Sequence, residues 1–206
     1  MQKKSYHDYV IKDGVFLGEF EEMYKGYDDP WNQSDISYSI SRSVNLINLN
    51  KYNISSVVEF GCGLGYFSNM INTHTRSKVT GVDISQSAID KAKLKFPELN
   101  FFADDISNIH KYKMNNAVIF AEITWYILPI LTKIFNEMLI HFEGKIFFHN
   151  LVFYQDNKQK YGRDYFTNVE EFIEFCPFQL LEKTVMTPTD HSKTIESHCV
   201  FKIKYK

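Results

Sequence analysis

Three carboxylates stand at the ends of apolar, strand-like runs in this chain: Glu59 near the end of 54–60, Asp83 after 78–82 and Glu122 after 116–121. An open α/β sheet binds its ligands beyond the carboxyl ends of its strands, so acids in these places are set to meet a ligand. Behind Glu59 come Gly61, Gly63 and Gly65 at alternate positions, then Leu64, Phe67, Met70 and Ile71 at helical spacing. Glycines without a Cβ let the chain turn with positive φ and let a ligand lie against the backbone, while the following helix offers unpaired N–H groups. A carboxylate such as Asp83 accepts two hydrogen bonds at once, which suits the paired hydroxyls of a ribose.

The elements that must position these groups follow from periodicity. Strands are predicted near 54–60, 78–82, 99–102, 116–121, 144–150, 178–186 and 198–205, with helices near 64–73, 86–95, 130–142 and 168–175. This alternation favours parallel pairing in an α/β sheet. Thr167 and Glu170 are expected to form a capping box for the helix Val169 to Phe175, and Gly144 marks the stop before the fifth strand. Residues 1–50 fall outside the pattern and read as an N-terminal helical cap over a core at 51–206, the two making one domain. Within the cap, Tyr38, Arg42, Leu46 and Leu49 share a face of a helix expected from Ile36 to Asn50. Tyr38 and Arg42, one turn apart, are placed to hold a carboxylate, a task for which guanidinium has the fork geometry, and a surface arginine is the competing reading.

The motif Val57-Val58-Glu59-Phe60-Gly61-Cys62-Gly63-Leu64-Gly65, followed by Asp83, by Leu99 to Ile106 and by Asn116 to Leu128, resembles four motifs of the class I S-adenosylmethionine-dependent methyltransferases in their order and spacing. The resemblance implies a Rossmann-like, seven-stranded, mostly parallel sheet ending in an antiparallel C-terminal hairpin. It implies S-adenosylmethionine as cofactor: Glu59 orients the loop and approaches the amino group, Gly61, Cys62, Gly63 and Gly65 line the cofactor, Asp83 with Ile84 takes the ribose, and Asp105 with the Ile106 amide takes the adenine. Strand register favours Asp105 over Asp104. The stretch Asp29-Pro30-Trp31, with Ala121-Glu122-Ile123-Thr124-Trp125-Tyr126, is similar to the small-molecule N-methyltransferases related to nodulation protein S, with Thr124 and Trp125 departing from that pattern. Trp31 then reads either as packing or as a cofactor contact, and Glu122 as part of the site.

The chemistry implied is in-line methyl transfer to an amine or hydroxyl of a small metabolite, a sugar-derived intermediate among the choices. An amine must be presented unprotonated and a hydroxyl benefits from a base, so Glu122, His149 and Tyr126 are the catalytic candidates; a satisfied core histidine competes for His149. Tyr154, Tyr161 and Tyr165 fall in a long segment after the fifth strand and are candidates for lining an acceptor pocket. The alternative is a cofactor-binding scaffold without catalysis. An NAD-dependent oxidoreductase is disfavoured because position 66 is Tyr where G-x-G-x-x-G needs Gly.

Composition narrows the class. The 206 residues are 44% hydrophobic and 23% charged, with a net charge of −2 and no basic cluster, which argues against a nucleic-acid partner. Cys62, Cys176 and Cys199 form no C-x-x-C pair, and the histidines, His191 among them, show no metal-ligand spacing. A reducing, cytoplasmic setting is expected, with no metal, no signal peptide and no membrane span. Oligomeric state is not encoded in any pattern found.

Overall fold

A computed structural model describes residues 5–155, 159–187 and 194–206, with the side chains of 36–38 left aside. The chain opens with a 3-10 turn, Tyr6–Tyr9, and a two-strand hairpin, β1 (Ile11–Lys12) and β2 (Val15–Phe16). Asp13 and Gly14 join them with φ of 52° and 82°, the pair of left-handed residues that a tight Asp-Gly hairpin turn requires. Helix α1 (Phe20–Gly26), a 3-10 turn (Gln33–Tyr38) and helix α2 (Ile40–Lys51) complete the cap. The α2 helix starts four residues later than expected because Ser39 caps it, its Oγ accepting from Arg42 N at 3.4 Å.

The core then alternates: β3 (Ser56–Phe60), α3 (Tyr66–His74), β4 (Lys78–Asp83), α4 (Gln86–Lys95), β5 (Asn100–Ala103), β6 (Ala117–Ala121), α5 (Leu131–His141), β7 (Ile146–Tyr154), α6 (Val169–Phe175), β8 (Phe178–Met186) and β9 (Thr194–Tyr205). The strands form one seven-stranded sheet in the order β5-β4-β3-β6-β7-β9-β8. β5, β4, β3, β6 and β7 run parallel, and β9 and β8 add antiparallel pairs at the far edge. This is a Rossmann-like methyltransferase fold with an antiparallel C-terminal hairpin.

Alternation on the inner strands divides the core. Val58, Phe60, Val118, Phe120 and Phe147 pack with α5 and α6, whereas Val57, Val79, Ile119 and Phe148 pack with α2 and α3. Both faces of β3, β6 and β7 are thus covered, which is why these strands read as continuous apolar runs. β7 continues to Tyr154 because β9 pairs with it along its whole length, Tyr154 opposite Thr194. The α6 cap is Asn168 rather than Thr167: Asn168 Oδ1 accepts from Glu171 N at 2.9 Å, and a Glu171 carboxylate oxygen accepts from Thr167 N at 2.6 Å. The box is shifted by one residue because Asn168 is the last extended residue before the first helical turn.

The α2 helix lies on the sheet through a polar layer. Asn45 Nδ2 donates to Asn150 Oδ1 at 2.7 Å, and Asn48 Nδ2 lies 3.1 Å from His198 Nε2. His198 Nδ1 faces Asn150 Oδ1 at 3.2 Å, so the ring is neutral with its proton on Nδ1; burial pushes its pKa down to about 4. At the helix end, Tyr52 and Lys51 both donate to Glu182 at 2.5 Å. Among the described residues no helix is long and apolar enough to cross a membrane, and no group of three or more His, Cys, Asp and Glu is placed to hold a metal ion.

Candidate functional site

Strand order reverses direction between β3 and β6, and the loops leaving β3, β4 and β6 meet at that point, where open α/β sheets form their ligand crevice. The first loop is Gly61–Gly65, its glycines at φ of 73°, 53° and 78°. Gly61 N and Cys62 N donate to Val82 O at 2.7 and 3.1 Å, tying this loop to β4. The three glycines serve different ends. A Cβ on Gly61 would lie 2.0 Å from Ile123 Cγ2, one on Gly63 within 2.6 Å of the Gln33 amide and the Tyr24 hydroxyl, and one on Gly65 2.5 Å from Phe101 Cζ. Gly63 therefore faces the cap, while the missing Cβ of Gly65 makes room for Phe101 of β5 and Ala92 of α4. Cys62 is sealed against Ile89, Ala92 and Phe101, and burial pushes its thiol pKa far up.

Two acids sit under this loop. Glu59 is 2% exposed and its carboxylate accepts from Ser68 Oγ at 2.5 Å. Burial pushes its pKa up to about 7, against the opposing pull of the Ser68 bond and the Arg42 charge. Asp83 Oδ2 accepts from Gly63 N and Oδ1 from Ser85 N, each at 2.9 Å, and burial raises its pKa despite these bonds. Ile84, 59% exposed, stands beside it as an apolar shelf.

Between pH 4.5 and about 7, folded Glu59 holds a proton that the unfolded chain has released, so stability falls as pH rises through that window. The loss attributable to Glu59 in the ligand-free protein is about 3 kcal/mol. Glu59→Gln is expected to remove that slope, so urea titrations at pH 5 and pH 8 should show the variant gaining on the wild type at the higher pH; parallel profiles would refute it.

The third segment is Glu122 to Tyr126. Glu122 adopts φ of 70°, a left-handed conformation uncommon for a residue with a Cβ and typical of strained functional positions. Its N–H donates to Asn150 O at 3.0 Å, and desolvation raises its carboxyl pKa while the Arg42 charge lowers it. Arg42 reaches over the Phe67 ring at 5.7 Å, and its Nε is buried with no partner among the described residues. The Arg42 charge thus acts on both Glu59 and Glu122. Tyr126 carries an aromatic enclosure, its ring 5.2 Å from Phe20, 6.0 Å from Trp31 and 6.4 Å from Phe16, with Tyr161 5.9 Å from Phe16. Trp31 also packs on Tyr6 at 5.1 Å. Burial raises the Tyr126 pKa.

Not every expected residue joins this edge. His149 is fully buried on the α5 and α6 face, stacked on Phe172 at 3.9 Å, with Nε2 2.7 Å from Thr124 Oγ1. Burial pushes its pKa well down, so it is a neutral ring that props the loop after β6 from below and reaches no ligand. Asp105 is an exposed cap of the 3-10 turn Ile106–Tyr112, accepting from Ser107 N at 2.7 Å, whereas Asp104 is engaged by Asn108, Lys111 and Tyr112. Ile106 packs against the core. Tyr165 lies against Phe175, Tyr154 is 53% exposed and acts electrostatically on Tyr126, and Tyr161 stacks on Phe16 of the enclosure. The Tyr38 side chain and His191 lie outside the described residues. A cleft of about 500 Å³ at the far end of β7, lined by Phe153, Asn168 and Lys183 among others, is separate from the glycine loop.

A family model described as Nodulation protein S (NodS) matches residues 21–135. The chain belongs to the NodS family. It is therefore a class I S-adenosylmethionine-dependent methyltransferase by family. Among solved structures, N-methyltransferase NodS from Bradyrhizobium japonicum WM9, in complex with S-adenosyl-L-homocysteine, is similar with a TM-score of 0.69 and 18% identity, over 89% of this chain and 96% of that one. A S-adenosylmethionine-dependent methyltransferase from Clostridium acetobutylicum ATCC 824 follows at a TM-score of 0.62 and 15% identity, over 89% and 98%. The [4+2]-cyclase SpnF also matches, at a TM-score of 0.62 and 12% identity over 79% and 80%. At these identities the likeness speaks for the fold, and the cyclase illustrates that one fold hosts several chemistries. No curated protein matches the chain in sequence.

The NodS-family match spans α1 through the first turns of α5, and so includes cap residues that periodicity did not single out. Gln33 Oε1 accepts from Leu64 N at 2.7 Å, and Asp29 of the Asp-Pro-Trp group accepts from Gln33 N at 2.7 Å and Ser34 N at 3.0 Å. Trp31 is thereby carried on a turn whose geometry Asp29 sets. The sequence signal for this was the Asp-Pro-Trp group itself; Tyr24, Gln33 and Ser68 gave none.

Proposed function

We propose that this chain transfers a methyl group from S-adenosylmethionine to the amine of a small metabolite, an amino sugar being one fitting class. The observation that carries the reading is the junction of the Gly61–Gly65 turn, buried Glu59 and Asp83, and the strained Glu122, whose charge acts on Tyr126 in the cluster of Phe16, Phe20 and Trp31 rings. The donor set fits the cofactor: Asp83 for the ribose hydroxyls, Ile84 beside the base, and Glu59 with the unpartnered Arg42 Nε for the amino and carboxylate ends. When bound, the cofactor would supply an electrophilic methyl on a sulfonium, with S-adenosylhomocysteine as the leaving thioether when an acceptor nitrogen bonds that methyl carbon in line with the sulfur.

The protein's own work is then alignment and proton management. Aromatic faces attract an ammonium and its methylated product, and they hold the acceptor while excluding water. Glu122, its carboxyl pKa raised by desolvation, would take the proton that an ammonium must lose before its lone pair can attack, a role its raised basicity supports.

The test is a screen of small amines and amino sugars against matched hydroxyl analogues, reading S-adenosylhomocysteine release and the acceptor's gain of one methyl. Glu122→Gln is expected to lower the methylation rate about a hundredfold, and S-adenosylhomocysteine affinity by less than about tenfold. Cofactor binding without turnover on any acceptor would favour the scaffold alternative. Turnover on the hydroxyl analogues alone would reassign the acceptor atom.

A further inference from the structure

Glu21 of α1 lies outside every motif, yet its carboxylate makes three hydrogen bonds to the N-cap and first turn of α4, directly after the bend that carries Asp83. Oε2 accepts from Ser85 Oγ at 2.7 Å and from Ser87 N at 3.1 Å, and Oε1 accepts from Ser87 Oγ at 2.7 Å. Ser85 is already bound from within: its N–H donates to Asp83 Oδ1 at 2.9 Å, and its Oγ caps α4 by accepting from Ala88 N at 3.1 Å. The turn that carries Asp83 and Ile84 is therefore gripped by Gly63 N–H on its inner side and by Glu21 on its outer side. Two more contacts join the cap to the same region. Lys91 Nζ of α4 donates to Tyr24 O and Tyr27 O at 2.7 Å each, and Gln33 Oε1 accepts from Leu64 N.

We propose that Glu21 is a positioning residue for the cofactor, clamping the Asp83–Ser85 turn so that cofactor binding and closure of the N-terminal cap are coupled. The inference rests on the methyltransferase reading given above. A carboxylate that only anchored α1 could meet any donor along α4, whereas here one bond goes to Ser85, the α4 N-cap whose own N–H holds Asp83, and the other two go to Ser87 in the first turn next to it. The Ser85 bond is the chief cause that holds the Glu21 pKa down at about 2, so the clamp is ionised at neutral pH. With the cap shut, the Tyr24 hydroxyl and the Gln33 amide lie over Gly63, on the loop the cofactor must approach. Coupling of this kind is reciprocal: whatever closure contributes to cofactor affinity, the cofactor returns to closure.

The experiment uses the full chain and S-adenosylhomocysteine as probe. Affinity is measured by calorimetry for the wild type, Glu21→Gln, Glu21→Ala, Ser87→Ala and the Glu21→Ala/Ser87→Ala double variant, with the unfolding midpoint in urea alongside. Trypsin cleavage at Lys12 and Lys25 in the cap is timed with and without the probe. Glu21→Ala is expected to weaken binding about tenfold, as loss of charge-assisted hydrogen bonds predicts, with Glu21→Gln intermediate and the double variant little worse than Glu21→Ala. The probe should slow cap cleavage in the wild type and not in Glu21→Ala. A lowered unfolding midpoint with affinity and cleavage protection unchanged would overturn the proposal and leave Glu21 as a structural staple. Failure of the wild type to bind the probe would instead overturn the methyltransferase reading beneath it.

Discussion

Asp83→Ala is expected to abolish measurable binding of S-adenosylmethionine and S-adenosylhomocysteine, an effect of about 10²- to 10³-fold if both ribose hydroxyls lose charge-assisted bonds. The carboxylate is already prepared for that role. The Gly63 and Ser85 amides hold its two oxygens in place, and among the described residues no lysine or arginine forms an ion pair with it. Its removal leaves two buried N–H groups without their acceptor but also relieves a desolvated charge, so the two effects on folding oppose each other and stability should change by no more than about 2 kcal/mol. Asp83→Asn keeps an acceptor and loses the charge; it should retain the fold and part of the affinity. Calorimetry with NAD as the control ligand reads the result. Undiminished binding by a folded Asp83→Ala protein would remove Asp83 from the site.

Gly65→Ala is expected to act on folding first. A methyl there meets Phe101 Cζ at 2.5 Å and Ala92 Cβ at 3.3 Å, and the residue must hold φ of 78°. A left-handed alanine costs about 1–2 kcal/mol and overpacking a filled core about 1–3 kcal/mol, so the variant should lose about 2–5 kcal/mol of unfolding free energy. The enlarged contact lies where α3 meets α4 and β5, and trimming Phe101 to leucine in the same chain should recover part of the loss. Urea denaturation of both variants decides it. A Gly65→Ala protein as stable as the wild type would mean that Phe101 shifts aside without cost.

The sequence was most informative where local chemistry dictates structure. A β-branched run, an acid, alternate glycines and a helical repeat can fold in few ways other than strand, turn and helix, and Glu59 and Asp83 stand where that unit places them. It was least informative where distant residues decide. Nothing local distinguishes Gly65, which serves packing, from Gly63, which faces the cap. His149 and Asn150 are neighbours in sequence, yet alternation along β7 sends one ring into the α6 core and the other amide toward α2. Asp104 and Asp105 differ by a single register step; Lys111 and Tyr112 claim the first, and the second remains exposed as a cap. The cap contacts of Glu21 on α1 and Gln33 on the following 3-10 turn arise where the cap folds back over the core, and no periodicity announces such contacts.

The layer of amides and imidazole beneath α2 is matched by direction rather than by volume. An apolar interface tolerates sliding, since one methyl is much like another, but Asn45, Asn48, Asn150 and His198 meet donor to acceptor at fixed points along the helix. Loss of any one leaves a buried partner bereft, whereas replacing a facing pair with apolar groups of like shape is nearly neutral. These four positions therefore act as a set: exchanging one alone costs more than exchanging a facing pair, and the set fixes the register of α2, and with it the place of Arg42 in its first turn.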